Sequence, residues 1–362
     1  MNNRKKLDSK SKVMSNQKGP TMDIGDNTAI TTEKFDYDSA FQINAGIFFR
    51  EDQEKLRRAR VTILGMFVGG TVATILARTG LADFILIDHT IHKLSDMNRD
   101  ICCFTDTLGK NKAEVVRDVI LKINPRAQVE VCTKRISLDE LEKFIDQCDV
   151  YFAQADDLAF SSKSLVLAQE KKKFAISFMP SGLTGYVMVF PPNLPHVIDP
   201  TDIFGSPKNL SYRELYHFLR NPLNRCGQRW HITDGKWRID WFNKWRDRKV
   251  IETQICPNVW LGASLACLEA VKYLTGRWQQ PKAPKMWHLV TAENRIKVDR
   301  FRRRSWLFGK FIYWAFSIKC FDFGRRYRKY TTRRLMRELD EMQKQENAGK
   351  EVKPPFMWRH LI

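Results

Sequence analysis

One stretch, from Val61 to Lys112, constrains this chain more than any other. Val61–Leu64 is a short apolar run of the kind that forms a buried strand, and Gly65, Gly69 and Gly70 follow within six residues. A helical run and a second apolar run ending in Asp88 come next, then Asn98-Arg99 and Lys112. A strand that passes through a glycine turn into a helix aims backbone N–H groups and a helix N-terminus at a phosphate. An acid at the tip of the next strand can accept from the two hydroxyls of a ribose. Asn98, Arg99 and Lys112 add donors and positive charge suited to a polyphosphate. The first expectation is therefore nucleotide binding.

The rhythm around this stretch specifies an α/β fold. Strand-like runs at Val61–Leu64, Phe84–Asp88, Gln128–Cys132, Val150–Ala153 and Phe174–Phe178 alternate with helical runs at Thr71–Thr79, Lys112–Ile123, Asp139–Gln147 and Ser161–Lys171. Such alternation predicts a Rossmann-like, doubly wound, mainly parallel sheet. A further strand is expected at Gly185–Phe190, a helix at Val259–Leu274 closed by Gly276, and a strand near Met286–Val290. Between residues 193 and 253 periodicity weakens while Pro, Trp, Arg and Asp accumulate. A stretch of that length without clear elements reads as a crossover, lid or substrate-binding insert.

Composition sets the outer bounds. With 362 residues and 43% hydrophobic content the chain can bury a sizeable core. Its net charge of +20 is uneven: residues 301–362 hold sixteen Lys/Arg against six Asp/Glu. Residues 1–35 are polar and basic and read as a disordered arm, 36–300 as the folded domain, and 301–362 as a basic, aromatic, helical tail. Within the tail, Trp306 to Ile318 suits either an interfacial helix at a membrane surface or a helix packed on protein. No specific nucleic-acid module is recognisable. The eight cysteines have no Cys-x-x-Cys spacing, so a structural zinc site has no ligands, and a reduced, cytoplasmic protein is expected. The N-terminus has no apolar secretory core, and no run of eighteen apolar residues offers a spanning helix.

The glycine turn departs from the dinucleotide fingerprint G-x-G-x-x-G, because Phe67 stands at the second glycine. The wider text is more specific. The segments REDQEKLRRARVTILG, LIDHT with LSDMNRD, LGKNKAEVVRDVILKINP, CDVYFAQADD and LGASLACLEAVKYLTG occur in this order. Residues 41–300 thereby resemble the ThiF/MoeB-like superfamily of ATP-dependent adenylating enzymes, which includes the ubiquitin-activating enzymes. The likeness is greatest to stand-alone bacterial members without zinc cysteines, some relatives of which modify peptides.

The resemblance implies roles for particular residues. Gly65, Gly69 and Gly70 would form the turn, Asp88 would bind the ribose, and Asn98, Arg99 and Lys112 would meet the ATP phosphates. Asp156 would hold Mg²⁺ at the α-phosphate, with Asp157 a competitor for that role. A homodimer is also implied. Such a set activates a carboxylate, of a peptide or small protein, as an acyl-adenylate; Arg99, Lys112 and Asp156 would be the catalytic groups. Cys226, in the irregular insert, is a candidate nucleophile for the following step. The pattern also departs at Ile43, where relatives carry an arginine, although Arg50 is nearby. A catalytically degenerate nucleotide-binding scaffold is thus the alternative. A nicotinamide-dependent (NAD(P)) oxidoreductase is disfavoured by the positive charge of Asn98-Arg99 and Lys112.

Overall fold

Apolar residues on both faces of a strand require cover on both sides, which fixes the architecture here. The computed structural model describes residues 34–203, 210–220 and 237–300, with 333–334, 337–345 and 347–349 near the C-terminus. Contacts divide the chain into Met1–Lys34 and Phe35–Ile362, and the second unit holds the fold described below.

Helices α1 (Tyr37–Phe41) and α2 (Arg50–Arg58) lead into β1 (Arg60–Leu64). Then come α3 (Met66–Thr79), β2 (Asp83–Ile87), α4 (Lys112–Ile123), β3 (Gln128–Cys132), α5 (Leu138–Asp146) and β4 (Val150–Ala153). These are followed by α6 (Leu158–Glu170), β5 (Phe174–Ser181), β6 (Thr184–Phe190), α7 (Pro200–Ile203), α8 (Tyr212–Arg220) and α9 (Ile239–Arg246). The long helix α10 (Cys256–Thr275), β7 (Lys285–Val290) and β8 (Arg295–Arg300) complete the domain.

The strands form one eight-stranded sheet in the order β3-β2-β1-β4-β5-β6-β7-β8. Pairings from β3 to β5 are parallel, and those from β5 to β8 are antiparallel. Four of the seven pairings are parallel, in keeping with the expected mainly parallel sheet, and the antiparallel ones lie together at one end. Val61 and Ile63 of β1 join one core with Val72 and Leu76 of α3, Val116 of α4 and Val259 and Ala266 of α10. Leu64, with Ile85 and Ile87 of β2 and Tyr151 of β4, faces the other core beside Leu141 of α5 and Leu165 of α6. Close approach on the first face relies on Gly262 of α10, where an added Cβ would lie 2.0 Å from the Phe178 ring.

Two local readings are corrected, and one strand is added. Helix α3 begins at Met66, so Gly69 and Gly70 lie buried inside it and do not form the turn. Gly65 alone makes that turn, at φ +85°, and a Cβ there would stand 2.6 Å from the Gln154 carbonyl oxygen. Cβ atoms at 69 and 70 would come 2.6 Å from Ile63 and 3.0 Å from Val116, so these glycines let α3 lie close to β1 and α4. Second, the supposedly featureless 193–253 stretch contains α7, α8 and α9 among its described residues. Trp237, Phe242 and Trp245 around α9 pack on one another, and Leu339 and Met342 from the tail are buried too. Asn243 donates to Gln343 across 2.9 Å, tying α9 to helical residues 337–345. Third, β8 was unanticipated, because its charged sequence RIKVDR conceals an edge strand. The Trp306–Ile318 segment and Cys226 lie outside the described residues.

Candidate functional site

Strand order reverses between β1 and β4, and at such a switch point the carboxyl ends of the strands open a crevice. Gly65 leaves β1 here, Asp88 follows β2, and Gln154 to Asp157 follow β4. Gly65 donates its N–H to the Ile87 carbonyl, and Gln154 donates to that of Leu64, so the three strand ends are knitted together. Asp88 accepts from the Met66 N–H at 2.7 Å, at the start of α3. Its other oxygen accepts from the Thr90 N–H and hydroxyl at 2.7 and 2.6 Å. Three of roughly four acceptor positions on this carboxylate are therefore occupied within the chain.

The crossover between β2 and α4 carries the basic groups. A 3-10 turn at Leu94–Asp96 buries Asp96, whose carboxylate accepts from the Lys93 N–H at 3.1 Å. Asn111 caps α4 by accepting from the Ala113 and Glu114 N–H groups, which sets Lys112 at the first helical position. Lys112 is only 6% exposed, and its Nζ lies 3.1 Å from Asp96 Oδ2. Arg99 approaches the other oxygen of the same acid at 3.5 Å. Burial pushes the Asp96 carboxyl upward, but bonds from Lys93 and Lys112 and the charges of Lys112 and Arg99 outweigh it and hold it below its ordinary value. Asp96 was not among the expected site residues. Its signal was its position three residues before Arg99, inside LSDMNRD.

Arg99 is held from several directions. Its Nε donates to Gln254 Oε1 at 3.1 Å, and its NH1 group donates to Asn98 Oδ1 at 2.7 Å and to the Ser95 carbonyl. Trp260 Nε1 donates to its backbone carbonyl at 3.0 Å, and Asn98 donates to the Gln254 carbonyl at 3.1 Å. The guanidinium also lies over the Phe67 ring, 4.5 Å from its centroid. That ring is buried in the first turn of α3, so the side chain replacing the fingerprint glycine serves as a platform for Arg99.

Asp156 stands apart from these bonds. The residue touches solvent, although protein crowds round its carboxyl. Desolvation raises its pKa, with Asp88 and Asp96 reinforcing that rise and Lys112 and Arg99 opposing it. Contact with water limits the rise in the open site. Asp157 is committed elsewhere: it caps α6 by accepting from the Ala159 and Phe160 N–H groups, and it accepts from the Tyr212 hydroxyl at 2.6 Å. Among the described residues, Asp156 is thus the carboxylate of the pair without a hydrogen-bond donor. No cluster of three metal-ligating side chains occurs among the described residues. A single acid still fits Mg²⁺, which takes one or two carboxylates and completes its shell with water and phosphate oxygens.

Behind Lys112 lies a second layer. His92 and Asp100 have fully buried side chains with Nδ1 and Oδ2 3.5 Å apart, too long for a hydrogen bond. Burial pushes the Asp100 carboxyl up to about 7 and, with the charge of Lys112, lowers the His92 imidazole. Ile43 and Arg50 are both exposed on the segment before β1.

The family model described as "ThiF family" matches residues 40–305. The chain belongs to the ThiF family. Similar proteins include the tRNA threonylcarbamoyladenosine dehydratase of Haemophilus influenzae, 26% identical over 39% of this chain and 54% of that protein. The vegetative HesA protein of Trichormus variabilis is 33% identical over 28% of this chain and 39% of its own length. The ubiquitin-like modifier-activating enzyme 5 of Caenorhabditis briggsae is 29% identical over 35% and 32%. The match therefore spans about half of the first relative and less of the others. Among solved structures, PaaA superposes with a TM-score of 0.52 at 22% identity, covering 70% of this chain and 76% of that one. The E. coli MccB structure with ATP gives a TM-score of 0.50 at 20% identity, covering 70% and 66%. At these identities the structures speak to the fold, and they agree with the α/β architecture of this ThiF-family chain.

Proposed function

We propose that this protein binds ATP with Mg²⁺ and adenylates a carboxylate of a peptide or small protein. The observation that supports the reading is that Asp88 and Asp156 follow the ends of β2 and β4 at the switch point of a ThiF-family domain, with Arg99 and Lys112 paired to Asp96 in the β2–α4 crossover. In the proposed reaction a substrate carboxylate oxygen attacks the α-phosphorus of ATP. A P–O bond forms as the bond to pyrophosphate breaks, and the product is an acyl-adenylate. Such chemistry needs positioning and neutralisation of developing charge more than it needs a protein nucleophile. Arg99 and Lys112 would meet the phosphates, Asn98 would hold Arg99, and Asp88 would take the ribose. Bound at Asp156, Mg²⁺ would neutralise phosphate charge. A nucleophile then attacks the acyl carbon and releases AMP.

The crystallised relative MccB has been seen with ATP, and one similar protein is named as a modifier-activating enzyme. Both support a nucleotide-dependent activation on a macromolecular or peptide substrate. We further propose a cytoplasmic homodimer; no helix among the described residues is long and apolar enough to cross a membrane.

The test is ATP–pyrophosphate exchange by the full-length chain, with Mg²⁺ and a panel of candidate peptides. Exchange should appear with an accepted peptide and disappear in Asp156→Ala and Arg99→Ala. Binding of ATP without exchange against any peptide or carrier protein would instead favour the scaffold. Tight binding of a reduced nicotinamide with no ATP affinity would exclude both.

A further inference from the structure

Gln254 lies 155 residues from Arg99 in sequence, yet it bonds both members of the Asn98-Arg99 pair, beside the Trp260 bond to the Arg99 carbonyl. Its side-chain oxygen accepts from Arg99 Nε and its backbone carbonyl from Asn98 Nδ2, each at 3.1 Å. Its own amide nitrogen reaches the Pro180 carbonyl at 3.4 Å, on β5. The same segment is anchored by its backbone: Gly182 donates to the Thr253 carbonyl at 2.9 Å, and Gly182 and Gln254 form a parallel bridge. Gly182, at φ +62°, is the turn between β5 and β6. The chain returning from the 193–253 excursion thus docks on a β-turn and presents one side chain to Arg99.

The bonding of Arg99 shows what that side chain achieves. Its Nε goes to Gln254, NH1 goes to Ser95 and Asn98, and the ring of Phe67 takes one face. Among the described residues, NH2 has only Asp96 Oδ1, at 3.5 Å. The two N–H groups of NH2 are the donors left for a ligand, and they lie beside the same acid that holds Lys112. A guanidinium fixed at Nε and NH1 cannot swing, so its remaining donors stay aimed where Lys112 is aimed. We propose that Gln254 is a positioning residue: it pre-orients Arg99 toward the nucleotide and makes that orientation depend on the seating of segment 253–254 against the β5–β6 turn. This rests on the reading of the crevice as an ATP site.

The experiment is a double-mutant cycle on ATP affinity. Gln254→Met keeps the length of the side chain and the backbone bonds while removing the bond to Arg99. ATP with Mg²⁺ is titrated into the full-length protein, its Gln254→Met, its Arg99→Ala and its double variant, with melting temperatures recorded for each. Gln254→Met should weaken ATP binding about tenfold, in keeping with a hydrogen bond to a charged group. In the Arg99→Ala background the same substitution should change affinity less than twofold, because there is no guanidinium left to orient. Gln254→Glu, which can still accept from Nε, should recover most of the affinity. Equal losses in both backgrounds, or no loss in either, would overturn the proposal. If the unmodified chain failed to bind ATP at all, the ATP reading would fall first. Should Gln254→Met lower the melting temperature enough to prevent titration, Gln254→Glu and Gln254→Asn carry the cycle: Asn is too short to reach Nε and must behave as Met does.

Discussion

Two corners of the crevice are built on opposite plans. At the β2–α4 crossover, Asp88, Asp96, Asn98, Arg99 and Lys112 are bonded to one another or to backbone in advance of any ligand. At the end of β4, Asp156 is open to water while its neighbour Asp157 is absorbed into the cap of α6 and a bond from Tyr212. The contrast separates two jobs that charged residues do. Cations that must meet a polyanion in one geometry gain from being fixed beforehand, since their reorganisation is then already complete. A carboxylate that is to share a metal ion with phosphate oxygens gains from being left with unused lone pairs.

The sharpest way to break this comparison is to remove one acid from each corner. Asp96→Ala leaves Lys112 buried without its partner, and breaking such a pair should cost roughly 3 kcal/mol of stability as well as ATP binding. Asp156→Ala should leave thermal unfolding within a degree or two, yet lower pyrophosphate exchange at least about a hundredfold. Calorimetry beside exchange assays reads both. If Asp156→Ala were the destabilising variant and Asp96→Ala the benign one, the division of labour would be reversed.

How far the sequence revealed this arrangement follows the same division. The central parallel strands β1 and β4 were legible because both of their faces are buried, and a continuous apolar run is hard to mistake. Strand β8 was not, because its two apolar residues, Ile296 and Val298, are exposed and each is flanked by charged residues. The roles proposed for Arg99, Lys112 and Asp156 come from the resemblance to a family. Gln254 was not legible, since a bond between residues so far apart leaves no mark in spacing. The glycines show a subtler failure. Gly69 and Gly70 announce that something comes close, but local sequence does not say whether that is a phosphate or the side chains of Ile63 and Val116.

A smaller, pH-dependent effect should arise in the layer behind Lys112. Burial raises Asp100 to about 7, with Asp96 adding to the rise and Lys112 and Arg99 opposing it, while His92 lies 3.5 Å away. A carboxyl whose folded pKa lies above its ordinary 3.8 contributes stability that is complete below that value and is lost as pH climbs through 7. Asp100→Asn removes this dependence. Chemical denaturation from pH 5 to 8 should therefore show the variant gaining on the parent as pH rises, by on the order of a few kcal/mol across the window. His92 acts in the opposite sense: burial, with the charge of Lys112, lowers its pKa against the pull of Asp96 and Asp88, so its contribution is complete above 6.5 and is lost as pH falls through the lowered value. A difference between variant and parent that stayed flat with pH would mean that Asp100 is ionised throughout.

The finest test concerns Phe67, because it asks whether the side chain in place of the fingerprint glycine is a cost or a support. The ring is buried in the first turn of α3, and Arg99 lies 4.5 Å above it. Phe67→Leu keeps an apolar side chain at the same place but removes the π face, worth about 1 kcal/mol to a partly desolvated guanidinium. If the ring supports Arg99, ATP affinity should fall about fivefold, the equivalent of that energy. The loss should be smaller in the Gln254→Met background, where the guanidinium has already lost one of its restraints. If the ring instead obstructs the phosphates, the smaller leucine should improve binding. An improvement would place Phe67 with the residues a ligand must push aside, and would leave Gln254, Asn98, Ser95 and Asp96 to orient Arg99 without it.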